Sequence, residues 1–189
     1  MGIPTLISTS TASGASSVDI TSGIDSTYDE YMFVMTDIGP ATDGGGWEFQ
    51  VNAAAASGFN ETVTTTIFTS QQNEAGTVTE LSYATGNDQA QGTAYIDLNS
   101  GGTGNDADSS AAGVLHLFSP ASTTYVKHFY ARTSFHHGSD YAMTSFLGGY
   151  INTTSAIDEI SFKMHSGNFD GVIQMYGICL LYTSDAADE

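Results

Sequence analysis

Two histidines stand side by side in TSFHHGSD, His136 and His137, with Asp140 just beyond them. Imidazole nitrogens and a carboxylate are the ligands of a zinc-type centre, which needs three or four of them converging on one ion. Neighbours on an extended strand point to opposite faces, so this pair is poorly placed to chelate and reads as an ordinary loop pair. His116, between Leu115 and Leu117 in VLHLF, reads as a hydrogen-bonded, half-buried side chain. A second stretch, NSGGTGNDADSS, offers the oxygen ligands Asn105, Asp106, Asp108 and Ser109. Calcium favours such clusters, but the EF-hand spacing and its closing Glu are missing. Asn105, Asp106 and Asp108 are therefore metal candidates in what reads as a solvated loop.

Covalent and acid–base chemistry leaves less trace. The chain has no G-x-S-x-G elbow, no phosphate-binding G-x-x-x-x-G-K-[ST] and no dinucleotide fingerprint opening a helix. Glycoside hydrolysis needs two carboxyls at a set separation across a cleft. Of the strand acids, Glu48 and Asp97 alternate with apolar neighbours, which predicts solvated positions. No catalytic residue and no cofactor site is assigned. Tyrosines at 28, 31, 83, 95, 125, 130, 141 and 150 gather near strand ends and loops. Such rings can stack on sugars, but rings at a sandwich rim also bury themselves and leave the hydroxyl wet, and that is the reading adopted.

The elements that must position these groups are strands. WEFQVN puts Trp47, Phe49 and Val51 on one face and Glu48, Gln50 and Asn52 on the other, the period of a half-buried strand. DEYMFVMTDI, Asp29 to Ile38, is apolar on both faces through its middle. Similar runs recur at TVTTTIF, TVTELSY, TAYIDLN, GVLHLFS, TTYVKHFYAR, YAMTSFLGGYI, AIDEISFKM and GVIQMYGI. Turn clusters separate them, GPATDGGG, NEAG, TGNDQAQG, SPAS, HHGSD and HSGNFDG among them. Many short β-branched and aromatic strands predict an all-β, antiparallel, jelly-roll-like β-sandwich. Residues 18–178 read as one domain, and residues 1–17 as a flexible arm or an edge strand. The alanine run Ala53–Ser57 is too short to nucleate a helix and reads as a loop.

Composition narrows the partners. The 189 residues carry 21 acids against three bases, Lys127, Arg132 and Lys163, a formal charge of −18. Nucleic acid is excluded, because its affinity comes from Lys and Arg neutralising phosphates. An anionic membrane surface is disfavoured for the same reason, and no run of eighteen apolar residues exists to insert. MGIPTLISTSTASGASS has no basic region and no sustained apolar run, so it does not read as a signal peptide. The single cysteine, Cys179, permits no disulfide framework. A sandwich this poor in Lys lacks a usual guard on its strand edges, which predicts a homo-oligomer, with a trimer favoured.

The last eleven residues, CLLYTSDAADE, break the strand pattern that ends at Ile178. They resemble the in-frame translation of a transposase-type sequencing adapter, and 179–189 is read as a non-native tail. Three further segments carry a family likeness: GIDSTYDEYMFVMTDIGPATDGGGWEFQV, YVKHFYAR and SAIDEISFKMHSGNFDGVIQMYGI. They resemble small virion structural proteins of tailed bacteriophages, many seen in marine metagenomes. In that family an I-x-S-S-Y-D-x-Y segment runs to a P-x-T-D-G turn, and a T-A-I-x-x-I-x-F strand leads through G-N-F-x-x-G to a closing L-Y-G-I. Tyr28, Asp29, Tyr31, Asp43 and Gly44 match early; Gly167, Asn168, Phe169, Gly171, Tyr176 and Gly177 match late. Thr27, Ser155 and Met175 depart from it by small changes. The resemblance implies a jelly-roll-like sandwich located in the virion, as a decoration, tail or fibre-associated part, with other virion proteins as partners and no catalytic residue. A carbohydrate- or receptor-binding sandwich meeting a host-surface glycan is the alternative, and a tail-associated glycan hydrolase a third. Physically, Asp29 is expected to make an Asx-type turn at the strand entry, and Asp43-Gly44-Gly45 and Gly167-Asn168 to supply tight turns.

Overall fold

The computed structural model describes residues 3–179; all of the adapter-like tail except Cys179 lies outside them. Among the described residues the elements are strands: β1 (Thr5–Ala15), β2 (Ser17–Ile20), β3 (Glu30–Pro40), β4 (Trp47–Ala53), β5 (Val63–Asn73), β6 (Thr79–Tyr83), β7 (Ala90–Gly92), β8 (Ile96–Asp97), β9 (Ala111–Phe118), β10 (Lys127–His137), β11 (Tyr141–Ile151), β12 (Ile157–Met164) and β13 (Phe169–Ile178). They form a nine-stranded sheet in the order β1-β13-β3-β9-β10-β11-β5-β6, with β7 also on β5, and a four-stranded sheet in the order β2-β12-β4-β8. Every pairing is antiparallel.

Within this sandwich lies a jelly roll. Its two four-stranded paths are β1-β13-β3-β9 and β2-β12-β4-β8. The first strand therefore pairs with the last, the second with the next to last, and each of these returning strands is also paired on its other side. That is a long hairpin rolled into two Greek keys. Strands β5 to β7 are inserted before β8, and the β10–β11 hairpin follows β9; together they widen one sheet only. Thr5–Ala15 is an edge strand on β13 and not a free arm. His136 and His137 belong to β10, so the turn holds Gly138–Asp140 alone.

The core lies between the layers. Phe33, Met35, Phe49, Ile67, Leu115, Phe162, Ile173 and Met175 are fully enclosed. Phe49 meets Phe129 edge-on at 5.3 Å and Phe33 lies 5.6 Å from Phe162. Burying such side chains contributes about 1.5–3 kcal/mol each. Four strands cannot cover nine, and the segment between β6 and β9 fills the deficit. Thr133 Oγ1 donates to the Leu98 carbonyl at 2.6 Å, and Ser100 N donates to Ser145 Oγ at 3.1 Å. Gln89 N donates to Thr65 Oγ1 at 2.8 Å. These three hydroxyl residues are buried on inward-facing positions, and each is hydrogen-bonded there, as a buried polar group must be.

The family-like residues from the two ends of the chain meet in space. A Cβ on Gly177 would sit inside the ring of Tyr28, and one on Gly167 would strike Thr42 Oγ1. Gly167 and Gly44 also hold φ of 78° and 69°, where Gly carries no steric cost. Asn168 donates to the Gly14 carbonyl at 2.9 Å, and its own carbonyl accepts from Ala41 N. Tyr31 is wholly buried, its hydroxyl 3.1 Å from Asp25, and burial pushes that phenol up to about 12. An Asx turn before β3 is made by Asp25, whose Oδ1 accepts from Thr27 N at 2.8 Å. The Asp29 carbonyl accepts from Ser119 N.

The Tyr28–Gly177 contact makes a testable claim. Gly177→Ala overpacks the site and is expected to destabilise by about 1–3 kcal/mol. Adding Tyr28→Ala to the same chain should recover part of that loss in urea unfolding. Additive losses would show that the ring does not set the limit at residue 177.

Candidate functional site

Strict alternation along β9, β10, β11 and β5 sends Leu115, Ala131, Leu147 and Ile67 inward. Their neighbours must face out. Register then brings Val114, Arg132, Phe146 and Phe68 into one row across the four strands, with Tyr83 of β6 beyond Phe68. The next row holds Met32, His116, Tyr130, Gly148 and Thr66. Phe68 stacks on Phe146 at 4.9 Å and 10°, and His116 on Tyr130 at 4.6 Å and 22°. Directly opposed aromatic pairs of this kind stabilise a sheet by roughly 0.5–1.5 kcal/mol. Yet Phe68, Tyr83 and Tyr130 remain 42%, 57% and 49% exposed. The outer face of the large sheet is thus an aromatic band open to solvent, contrary to the expectation that the tyrosines merely seal a rim.

Gly148 interrupts the second row. A Cβ built there meets nothing within 4 Å, and a cavity of about 460 Å³ opens over it. Thr66, Phe68, Tyr130, Arg132 and Phe146 line this slot. Its walls are mostly carbon, and its polar groups sit at the rim. Thr66 Oγ1 donates to Tyr83 Oη at 3.3 Å, and Tyr83 Oη donates in turn to Asp88. On the far side of Tyr130, His116 Nδ1 pairs with the buried carboxylate of Glu30 and fixes the imidazole beneath the phenol ring. His116 is hydrogen-bonded and half-buried, as its sequence setting predicts.

The three bases are used differently. Lys127 is fully buried and donates to the Thr153 carbonyl at 3.1 Å, and burial draws its pKa down. Lys163 lies 4.2 Å from the ring centre of Tyr95 and 3.9 Å from Glu48. Arg132 packs its guanidinium 5.3 Å from the centre of Phe146 and has no anionic partner among the described residues. It is the base left facing solvent in the aromatic band.

The acids Glu48 and Asp97 depart from the solvated positions expected of them. They are register partners on β4 and β8, Glu48 is only 6% exposed, and Gln50 beside it is fully buried. The cause is the cover over the outer face of the small sheet: Gln50 Nε2 donates to the Ala94 and Glu61 carbonyls at 2.9 and 3.1 Å. Glu48 accepts His165 Nδ1 at 2.8 Å, with Lys163 on its other oxygen, and Asn87 Nδ2 donates to Asp97 Oδ2 at 2.9 Å. Asp97, Asn87, Asn99 and His165 edge a cavity of about 360 Å³. Burial, then the charge of Glu48, raises the Asp97 pKa. Both oxygens of Glu48 already have partners within the chain, His165 on one and Lys163 on the other, so its interactions are spent internally.

The metal candidates do not converge. His136 Nδ1 bonds Ser109 Oγ at 2.7 Å, while His137 Nδ1 accepts from Ser139 N. Asp140 stands 3.9 Å from His136. Asn105, Asp106 and Asp108 are exposed, with Asn105 turned to the Ala41 carbonyl. Among the described residues no three His, Cys, Asp or Glu side chains are grouped to hold an ion. Comparison with protein-family models, curated proteins and solved structures finds no match in any of the three.

The raised Asp97 pKa fixes a sign. Its folded-state pKa lies above the unfolded one, so the native state binds more protons between the two values and stability falls as pH rises through that window. Asp97→Asn deletes this dependence. Urea midpoints should therefore shift in favour of the variant as pH climbs above 3.8, the ordinary Asp value. A gap independent of pH would show that Asp97 is not penalised by its burial.

Proposed function

We propose that this chain is a non-enzymatic structural component of a bacteriophage virion, a decoration, tail or fibre-associated part, which works by assembly and by surface adhesion. One observation carries the reading. A jelly roll is enlarged on one side only, and the enlarged sheet presents an aromatic band with exposed edges at β1 and β6. Jelly rolls recur in capsid and lectin domains, which is an analogy of fold. The exposed rings Phe68, Tyr83 and Tyr130 on one face favour the second reading as well, a carbohydrate- or receptor-binding module meeting a host-surface glycan.

Assembly is the measurable half. Leu81 on the outer strand β6 is 72% exposed, Leu6 on β1 is 50% exposed, and neither strand carries a Lys. Edges of this kind are normally blunted by charge or covered by another chain. Other virion proteins and further copies of the chain are the proposed cover, in a symmetric homo-oligomer with a trimer favoured. Light scattering behind size exclusion, at micromolar concentration, should give a multiple of the 19.8 kDa chain mass. A monomer at every concentration would overturn self-assembly and leave docking onto other virion proteins.

A further inference from the structure

We propose that the slot over Gly148 binds a neutral hexopyranoside, the terminal or internal unit of a surface glycan. The proposal deepens the adhesive half of the reading above by naming the ligand class and the residues that hold it. The apolar C–H face of the sugar lies against the free face of Tyr130, whose other face is occupied by His116 at 4.6 Å. The negative face of the phenol ring attracts those C–H groups. Phe146 and Phe68 form the adjoining wall, already stacked on each other. The hydroxyls reach Arg132, whose donors are unused among the described residues, and the Thr66–Tyr83 hydroxyl pair.

The chemistry of the slot selects this class over others. Carbon walls with a few convergent polar groups suit a ligand that is apolar on its faces and hydroxylated on its edges. A wholly apolar ligand would leave the Arg132 donors unpaired where it excludes water. A polyanion has to approach a chain of formal charge −18 in which Arg132 is the only base not buried or ion-paired. A second copy of the chain brings the same charge to the same face. Arg132 also lines an adjoining hollow of about 340 Å³ with Val34, Val114 and Ser134, so a glycan can continue across the strands. The platform is rigid before a ligand arrives, because Glu30 holds His116 and His116 holds Tyr130. Such preorganisation lowers the ordering cost of binding.

Saturation-transfer-difference NMR on the full chain tests it. The probes are the methyl glycosides of β-glucose, β-galactose, α-mannose and β-N-acetylglucosamine, with methyl glucuronide as the anionic counterpart. Transfer to the ring C–H protons of at least one neutral glycoside is expected. Gly148→Val should abolish it while leaving the melting temperature within a degree or two, because the added carbons enter open space on a strand. Tyr130→Ala, at a half-exposed side chain, should abolish it as well, and stands in if the first variant does not fold. Undiminished transfer in either folded variant would overturn the assignment of the slot. Transfer from the glucuronide alone would overturn the neutral ligand, and no transfer from any probe would overturn saccharide binding. None of these outcomes bears on assembly, which light scattering reads separately.

Discussion

Strand β13 has to enter between β1 and β3 before either can complete its ladder, and β12 has to enter between β2 and β4 in the same way. The last two strands of the fold are thus interior strands, one in each sheet. No N-terminal fragment can bury the inner face of β3, because Ile173 and Met175, which flank it in the core, arrive last. This makes the family-like residues at the two chain ends intelligible as a closing device. Gly177 yields space for Tyr28, Gly167 for Thr42, and Asn168 ties the last turn to Gly14. A topology dominated by such distant pairings folds slowly, since loop closure is disfavoured until the distant contacts form.

The second constraint is the mismatch between nine strands and four. In a balanced sandwich the inner faces cover one another and polar residues can stay outside. Here the long segment between β6 and β9 must lie over β5, β10 and β11, and its backbone brings polar groups into the interior. Thr65, Thr133 and Ser145 answer that need from within the sheet. The same segment also lies over the outer face of β4, where Gln50 binds its carbonyls. A strand that alternates apolar and polar residues in the manner of a half-buried one is therefore buried on both faces.

That difference shows what was legible in the sequence and what was not. Alternation within a strand is a local property, so WEFQVN reads correctly as a strand, as does the apolar Asp29 to Ile38 segment, and the all-β sandwich follows from the number of such runs. The environment of the polar face is not local. Nothing near Glu48 announces that Ala94 and Glu61 will cover its neighbour Gln50, so the acid reads as solvated when it is buried. The aromatic band was missed for the same reason. Phe68, Tyr130 and Phe146 each occupy an outward position on a different strand, and only the register between β5, β10 and β11 lays them side by side. The one local hint is the Gly148-Gly149 pair within a strand. Glycine there weakens β structure and so marks either a close backbone approach or an open space. Gly149 proves to be the first, against the Thr64 carbonyl and the Phe129 ring, and Gly148 the second.

Electrostatics sharpen the distinction between the two polar regions. On the small sheet, the carboxylates have partners within the chain: Glu48 holds His165 and Lys163, and Asp97 is restrained by Asn87. On the large sheet, charge is nearly absent from the band, and the single guanidinium there is spread over an aromatic ring instead of a carboxylate. An ion pair in the first setting spends its interactions internally and has little left for a ligand. A cation stacked on Phe146 keeps its in-plane donors free while its orientation is already chosen, which is the condition for recognising hydroxyl groups at low entropic cost. In a chain with three bases, placing one of them within the aromatic band distinguishes that surface from a face that needs only to be covered.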